Sequence, residues 1–326
     1  MTDSLNIHQK IAELRKVVIF HPQCQAAFDA IRDAYLMSAQ VGLPQHLLCV
    51  GQSGTGKSTL KSLIFDEFPP EPLPDRELLP VLCVDTPSQP TIRNMAEAML
   101  VQLGEPCFMR GSAIDKTNRI LNLIKEKQVR LIIVDELQHF IDRGRRRAPL
   151  EVSDWLKTLI DQSQVSTVLM GLPRCEQILQ VNEQLRRRYG RRLELNPFSI
   201  ESPHEQSIFA GVITHFDQKL GLKRHLQLDG DLLRRFHFAT NGIIDYVVRL
   251  MTGSYAWATQ HSISAIDRSV LERAFVDWVW HEGKGALNPF NDGFRWKRLD
   301  SPGMPFNLFE PASAVRASKT GGESWS

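Results

Sequence analysis

The sequence has little of what marks a secreted, membrane-spanning or strongly charged protein. Its 326 residues include five cysteines, no two of them at C-x-x-C spacing, which argues against a zinc site or a disulfide framework. No apolar run reaches about 18 residues, the length that a membrane-spanning helix needs. The N-terminus is polar, so we expect no signal peptide, no membrane and a cytoplasmic location. The formal net charge is only +2, so any contact with nucleic acid must come from local clusters.

A complete match to the P-loop pattern G-x-x-x-x-G-K-[ST] runs from Gly51 to Ser58. Its glycines allow the backbone to curl so that successive N–H groups point at phosphate oxygens. Lys57 would contact the β- and γ-phosphates, and the Ser58 hydroxyl would be a ligand of Mg²⁺. An apolar run precedes the loop and a helical pattern follows it, as a phosphate site at a helix N-terminus requires. The predicted ATP-binding residues are Gly51, Gln52, Ser53, Gly54, Thr55, Gly56, Lys57, Ser58 and Thr59, together with Asp135.

Two acidic residues follow the most apolar segment of the chain, residues 131–134. Asp135 is expected to hold Mg²⁺, and Glu136 to polarise the attacking water as general base. Phosphoryl transfer is catalysed mainly by electrostatics, so an ATP-hydrolysing site needs a cation, a lysine and a positioned water. We therefore predict ATP hydrolysis, with Lys57 and Glu136 as catalytic residues.

A γ-phosphate sensor is expected at the end of the fourth apolar segment, near Gly171 and Leu172. No asparagine stands there, and Ser166 and Thr167 come too early in the segment. The sequence therefore assigns no sensor residue.

Apolar segments alternate with helical patterns over the first two thirds of the chain, which predicts an α/β fold with a doubly wound parallel sheet. From about residue 202 to 283 only helical patterns occur, which predicts a small helical subdomain. The predicted strands are 47–50, 79–85, 129–134, 165–170 and 193–195. The predicted domains are an N-terminal helical segment on the core (1–45), a nucleotide-binding domain (46–200), a helical subdomain (201–283) and an irregular tail (284–326).

Five arginines lie within residues 186–192. One interpretation is an arginine finger that reaches the ATP of a neighbouring subunit, with Arg188 as first choice and Arg187 as second. The cluster equally fits a solvated basic face or a contact with a phosphate backbone. Other basic positions would neutralise DNA phosphates without reading bases, although each also fits plain surface charge. These candidates are Arg110, Lys116, Arg119, Arg143, Arg145, Arg146 and Arg147.

Taken together, these motifs resemble the AAA+ ATPases, and more closely the TniB/TnsC group of transposition regulators. The resemblance covers roughly residues 15–260. It rests on the P-loop and on Val134-Asp135-Glu136-Leu137-Gln138-His139-Phe140, which is close to the DE-x-Q-H-hydrophobic box of that group. Three further segments carry it: Thr86-Pro87-Ser88, Met170-Gly171-Leu172-Pro173 and Leu185 to Tyr189.

The resemblance implies an AAA+ sheet followed by a helical lid, in a bacterial cytoplasmic protein. It implies assembly with ATP into a ring, a hexamer or heptamer, or into a helical filament around double-stranded DNA. The assembly would link a TniQ-like target selector to transposase subunits, and ATP hydrolysis would drive disassembly. The basic candidates would face the DNA, and Phe306, Leu308 and Phe309 of the tail would dock a transposase component.

One position departs from the family pattern. Many AAA+ lids carry an arginine where this chain has Asp245, and Arg249 one turn later is a substitute. We therefore expect slow, assembly-dependent hydrolysis.

Two alternatives share the same motifs. An AAA+ adaptor acting on protein partners, of the secretion-associated type, would be expected to carry a membrane span or an envelope-binding domain. A replication initiator or helicase loader would be expected to carry a winged helix after the lid, for which residues 284–326 are too few.

Overall fold

The computed structural model describes residues 2–143 and 148–307. Contacts divide the chain into two compact units, residues 22–195 and residues 2–21 with 196–307. We call the first the α/β unit and the second the helical unit. The division corrects one prediction, because the segment 1–45 is shared between the units instead of lying on one core. Leu14 belongs to the apolar core of the helical unit, and Ile31 to that of the α/β unit.

The α/β unit is built on one parallel sheet of five strands. Its strands are β1 (His46–Gly51), β2 (Val81–Asp85), β3 (Leu131–Asp135), β4 (Ser166–Gly171) and β5 (Arg191–Leu195). Their order in the sheet is β2-β3-β4-β1-β5. β3 and β4 are buried along their whole length, as expected for parallel strands covered on both faces. A separate antiparallel pairing joins Glu71–Pro72 to Glu77–Leu78. The predicted doubly wound sheet is confirmed.

Helices cover both faces of this sheet. They are α2 (Pro22–Leu36), extended by a π-helical turn (Met37–Val41), α3 (Lys57–Glu67), α4 (Ile92–Gln102), α5 (Ala113–Glu126), α6 (His139–Asp142), α7 (Ala148–Ser163), a 3-10 turn (Pro173–Glu176), α8 (Gln177–Gln180) and α9 (Glu183–Arg188). Alternate side chains of β3 enter different cores. Ile132 and Val134 pack with α4, α5 and α7, whereas Leu131 and Ile133 pack with α2 and α3.

The helical unit contains α1 (Thr2–Arg15), α10 (Pro203–Leu220), α11 (Gly230–Thr240), α12 (Ile244–Gln260), α13 (Arg268–Ala274), a π-helical turn (Phe275–Val279) and a 3-10 turn (Gly285–Leu287). α10 begins where Ser202 and Glu205 form a reciprocal capping box, which satisfies two free N–H groups of the first turn. The centre of the helical unit contains three fully buried aromatic rings, those of Phe209, Phe236 and Phe275. None of the helices within 2–143 and 148–307 is both long and apolar enough to cross a membrane.

Residues 288–307 form no helix or strand but belong to the core of the helical unit. Phe290, Phe294 and Leu299 are buried. Phe306 is only 6% exposed and packs edge-on against Tyr246. This corrects the prediction that Phe306 lies in a free docking tail, since its ring completes the core of its own unit. Leu308 and Phe309 lie outside the described residues.

Candidate nucleotide-binding site

The predicted phosphate loop connects β1 to α3 in the manner that the pattern requires. Gly54 and Gly56 have φ of 78° and 99°, a left-handed backbone that glycine adopts without strain. A Cβ on Gly51 would come within 2.5 Å of the Leu195 carbonyl oxygen, so only glycine fits where the loop passes β5. α3 has 11 residues, and its N-terminal N–H groups face the loop as an anion site needs.

Lys57 is buried, with 6% of its surface exposed. Its Nζ donates to the carbonyl oxygens of Gly51 at 2.7 Å and Gln52 at 2.8 Å. Burial lowers the pKa of the Lys57 ammonium, and the negative charges of Asp135 and Glu136 oppose that shift. The structure thus brings the lysine, the loop and both predicted acids together.

The remaining loop residues divide by exposure. Thr55 is buried and its hydroxyl donates to the Gln52 carbonyl oxygen at 2.8 Å. Ser53, Ser58 and Thr59 are exposed. The Ser58 hydroxyl is therefore accessible to an incoming ligand.

Asp135 is held by a lysine that the sequence analysis did not single out. Asp135 is 1% exposed and lies beside Asp85 in the register of β2 and β3. Lys61, one helical turn after Lys57, pairs with Asp135 Oδ2 at 2.9 Å and also with Asp85. Although burial acts to lower the pKa of Lys61, its hydrogen bonds to these carboxylates raise it above the usual value. The available signal was the spacing of four residues, which places both lysines on one face of α3.

Glu136 has a left-handed backbone, with φ of 57°. Its N–H donates to Asp135 Oδ1 at 2.8 Å, and its side chain is 41% exposed. For a residue with a side chain this conformation costs about 1 kcal/mol. The turn directs the two acids to different surroundings: Asp135 to the interior and Glu136 to a partly open position.

Gln138 connects Glu136 to the end of β4. Its amide nitrogen donates to Glu136 Oε2 at 2.5 Å, and its amide oxygen accepts from the Leu172 N–H at 3.0 Å. Gln138 is 3% exposed, and a Cβ on Gly171 would lie 2.6 Å from its amide oxygen. A buried amide thus occupies the strand end where the sequence offers no polar residue. Sequence reasoning missed this contact because it joins positions 34 residues apart.

The donor set fits a magnesium–nucleotide complex better than a protein-only metal site. Among the described residues, no group of three or more His, Cys, Asp or Glu could hold a metal ion. Mg²⁺ in nucleotide sites typically uses one or two protein ligands and takes the rest from phosphates and water. Ser58 and Asp135 supply that number of oxygen ligands, and a cation at Asp135 would compete with Lys61.

The two candidate finger arginines are engaged within their own unit. Arg188 pairs with Asp161 at 2.6 Å, and Arg187 pairs with Glu183 at 2.6 Å. Asp245 and Arg249 of the helical unit pair with each other at 2.7 Å.

Two of the predicted DNA contacts have internal partners. Lys116 is completely buried, and its Nζ donates to the carbonyl oxygens of Phe108 and Arg110 and pairs with Glu97 at 3.1 Å. This corrects the prediction for Lys116, because a buried ammonium cannot reach a duplex. Arg119 donates to the Cys107 carbonyl oxygen at 3.0 Å and also to that of Arg110. The guanidinium of Arg119 therefore fixes the same loop.

Arg110 and Arg143 are exposed and remain candidates for DNA contact. Arg145, Arg146 and Arg147 lie outside the described residues.

A five-stranded parallel sheet with a P-loop after β1 and an acidic pair at the end of β3, followed by a helical subdomain, is the fold of the AAA+ ATPases. The fold is similar to that of Aeropyrum pernix ORC1 in complex with DNA (TM-score 0.57, 15% identity, 79% of this chain and 66% of that one). It is also similar to Aeropyrum pernix ORC2 in ADPNP–ADP complexes (TM-score 0.55, 14% identity, 77% and 66%). This chain thus spans slightly less than two thirds of either protein.

The family whose description is "Bacterial TniB protein" matches residues 10–199, more than half of the sequence, and the chain belongs to that family. No curated protein matches the chain significantly in sequence. The predicted AAA+ and TniB resemblance is confirmed.

Proposed function

We propose that this protein is an ATP-dependent DNA-binding regulator of transposition. It assembles on duplex DNA with ATP, links a TniQ-like target selector to transposase subunits, and disassembles when ATP is hydrolysed. The observation that carries the proposal is the joint presence of a formed phosphate loop, two acids within reach of Lys57 and membership of the TniB family.

In this proposal each site residue has one task. The loop N–H groups and Lys57 bind the phosphates, and Ser58 and Asp135 hold Mg²⁺. When bound, Mg²⁺ neutralises developing charge on the phosphate oxygens. Glu136 accepts the proton of the attacking water, and Gln138 holds one oxygen of that carboxylate so that the other faces the water.

The proposed assembly is a homo-oligomer, a ring of six or seven subunits or a helical filament. Arg188, or Arg187 in second place, would leave its internal acid to contact a neighbouring subunit's ATP. Such a finger makes hydrolysis depend on assembly. Arg110 and Arg143 would contact DNA phosphates without sequence preference. Aeropyrum pernix ORC1, which shares the fold, was solved with DNA, and this supports a duplex as the partner.

The substitution Glu136→Gln tests the hydrolysis step. It keeps the size of the side chain but removes the base, so ATP turnover should fall at least ~100-fold while nucleotide affinity is retained. Turnover is measured by phosphate release, and affinity with a fluorescent ATP analogue. The exposed Glu126→Gln is the matched control and should behave as the parent. A Glu136→Gln protein with the parent rate would disprove the assignment.

Negative-stain imaging with ATP, with and without linear duplex DNA, tests the assembly step. The parent should form rings or filaments that enclose the duplex only when nucleotide is present. Lys57→Ala should bind no nucleotide and form no assembly. Assemblies that form with ATP but ignore DNA would replace this proposal with an AAA+ adaptor acting on protein partners.

A further inference from the structure

The helical unit carries a cluster of cations that the sequence analysis did not assign to DNA. Arg295, Lys297 and Arg298 lie in the irregular segment that follows the 3-10 turn, and Arg234 lies on α11. All four side chains are exposed. We call these four residues the basic ridge.

Trp296 anchors the ridge to α11. The guanidinium carbons of Arg234 and Arg235 each lie 4.9 Å from the centre of its ring. The rings of Phe238 and Phe294 each contact Trp296 edge-on at 5.6 Å. Arg235 itself is buried and donates to the carbonyl oxygens of Pro289 and Asn291. The segment is therefore fixed before any partner binds, and preorganised side chains lose less entropy on binding.

The backbone at Trp296 supports a functional role for this arrangement. Its φ is 53°, a conformation that a bulky aromatic residue rarely adopts. Strain of this kind costs about 1–3 kcal/mol and is kept where the surrounding structure enforces it, often at functional sites. Here it turns Trp296 onto α11 between two exposed cations, Arg295 and Lys297.

The ridge charges are not neutralised within the described part of the chain. None of the four forms an ion pair there, whereas Asp231 is paired with Arg235 and Asp292 with Arg268. Asp300 is the exposed carboxylate nearest in sequence. Burial lowers the pKa of His237 on α11 and the charge of Arg298 acts in the same direction, whereas a hydrogen bond with the Phe198 backbone and the charge of Glu201 oppose the shift. Four exposed cations that form no ion pair within the described residues favour an anionic partner.

We propose that the basic ridge binds the phosphate backbone of duplex DNA, an inference that rests on the proposed function. Three of its cations are arginines, whose planar guanidinium groups match phosphate oxygens. The ridge lacks the apolar centre of a protein interface, because Phe294 and Leu299 are buried and Trp296 is only 38% exposed. The contact is to phosphates and not to base edges, so it is independent of sequence.

The test is a salt titration of DNA binding by the full chain. Binding of a labelled duplex is followed by fluorescence anisotropy with a slowly hydrolysed ATP analogue present. The triple variant Arg295→Gln, Lys297→Gln, Arg298→Gln is compared with the parent. Each lost phosphate contact should reduce the slope of log K against log salt by ~0.9, so the triple variant should lose about 2 to 3 from the slope and bind at least ~10-fold more weakly.

The control variant removes three exposed lysines of the same unit, Lys16→Gln, Lys219→Gln and Lys223→Gln. It has the same net charge as the triple variant and should keep the parent slope. A second variant, Arg295→Lys with Arg298→Lys, retains the charges and should also keep it. Thermal unfolding of each variant establishes that a loss of binding is not a loss of fold.

The outcomes separate the two proposals. A parent that binds no duplex with nucleotide overturns the proposed function and the ridge together. A parent that binds, with a triple variant of equal slope, overturns only the ridge. If instead the triple variant loses binding to polyglutamate and keeps its DNA slope, the ridge is a contact for an acidic protein and the proposal is wrong.

Discussion

Three lysines of the α/β unit and two cations of the helical unit differ in how their charge is held. In the α/β unit, Lys57, Lys61 and Lys116 end on carbonyl or carboxylate oxygens of the same unit. In the helical unit, Arg295 and Lys297 end in solvent. A basic cluster in a sequence therefore shows how much charge is present, but not how much of it is available to a partner. Availability depends on burial and on carbonyl oxygens brought close by the fold.

The largest expected effect on stability comes from Lys116, and it tests whether a buried cation contributes more than an exposed one. Lys116→Ala leaves Glu97 and two carbonyl groups without their buried cation, so the free energy of unfolding should fall by about 3 kcal/mol. The exposed Lys125→Ala on the same helix should change it by less than about 0.5 kcal/mol. Urea denaturation of the nucleotide-free protein measures both. Equal effects would mean that the buried cation contributes no more than a surface one.

His21 is a buried titratable group of the helical unit. It extends the comparison of buried and exposed groups to the pH dependence of stability. Burial lowers its pKa to about 4. The unfolded chain binds this proton near pH 6.5, whereas the folded chain resists it until about 4. This stabilisation is therefore complete above pH 6.5 and is lost as the pH decreases towards 4, by about 3 kcal/mol from this residue.

The measurement is urea denaturation at a series of pH values. His21→Phe should flatten the decrease, and His8→Gln, which changes an exposed histidine, should not. A His21→Phe protein with the parent's pH dependence would assign the loss to other groups.

Gln138 provides an intermediate effect on turnover. Gln138→Met keeps the size of the side chain but removes the hydrogen bond to Glu136, so kcat should fall about 10-fold with KM unchanged. Steady-state ATPase assays measure both quantities.

The exposed Gln162→Met is the matched control for this substitution. In a Glu136→Gln background, Gln138→Met should have no further effect, because its action passes through Glu136. An additional loss in that background would indicate a role unrelated to the base.

The ridge gives the smallest expected effect on stability. Removing Arg295, Lys297 and Arg298 together should change the free energy of unfolding by less than about 0.5 kcal/mol, as surface substitutions usually do. A loss as large as that of Lys116→Ala would show that these cations are structural, and the contrast between the units would fail.

Local patterns predicted the fold because they act over a few residues. The continuous apolar run of β3 indicated a buried parallel strand, and the capping box of Ser202 and Glu205 explains why α10 begins near residue 202, where the helical patterns of the sequence begin. Contacts between distant positions were not predictable in this way. The partner of Gln138 is the main chain of Leu172, and the ring of Phe306 packs against Tyr246, which lies about 60 residues earlier in the chain. Periodic patterns in a sequence do not indicate which distant residues come into contact.

In the site, the P-loop was visible because its glycines and lysine are adjacent in the chain. Lys61 was not, because its meaning depends on Asp85 and Asp135, which the sheet places side by side. The prediction that Lys116 contacts DNA was wrong because a long cation on an amphipathic helix is usually exposed. Here the carbonyl oxygens of residues 108 and 110 make its burial possible.

The left-handed backbone of Glu136 has a consequence for protein engineering. Glycine adopts that conformation without a Cβ penalty, so replacement of Glu136 by glycine relieves local strain. A design procedure that ranked substitutions by stability alone would therefore favour a change that deletes the candidate base. At this one position, improving the fold and preserving the chemistry are opposing goals.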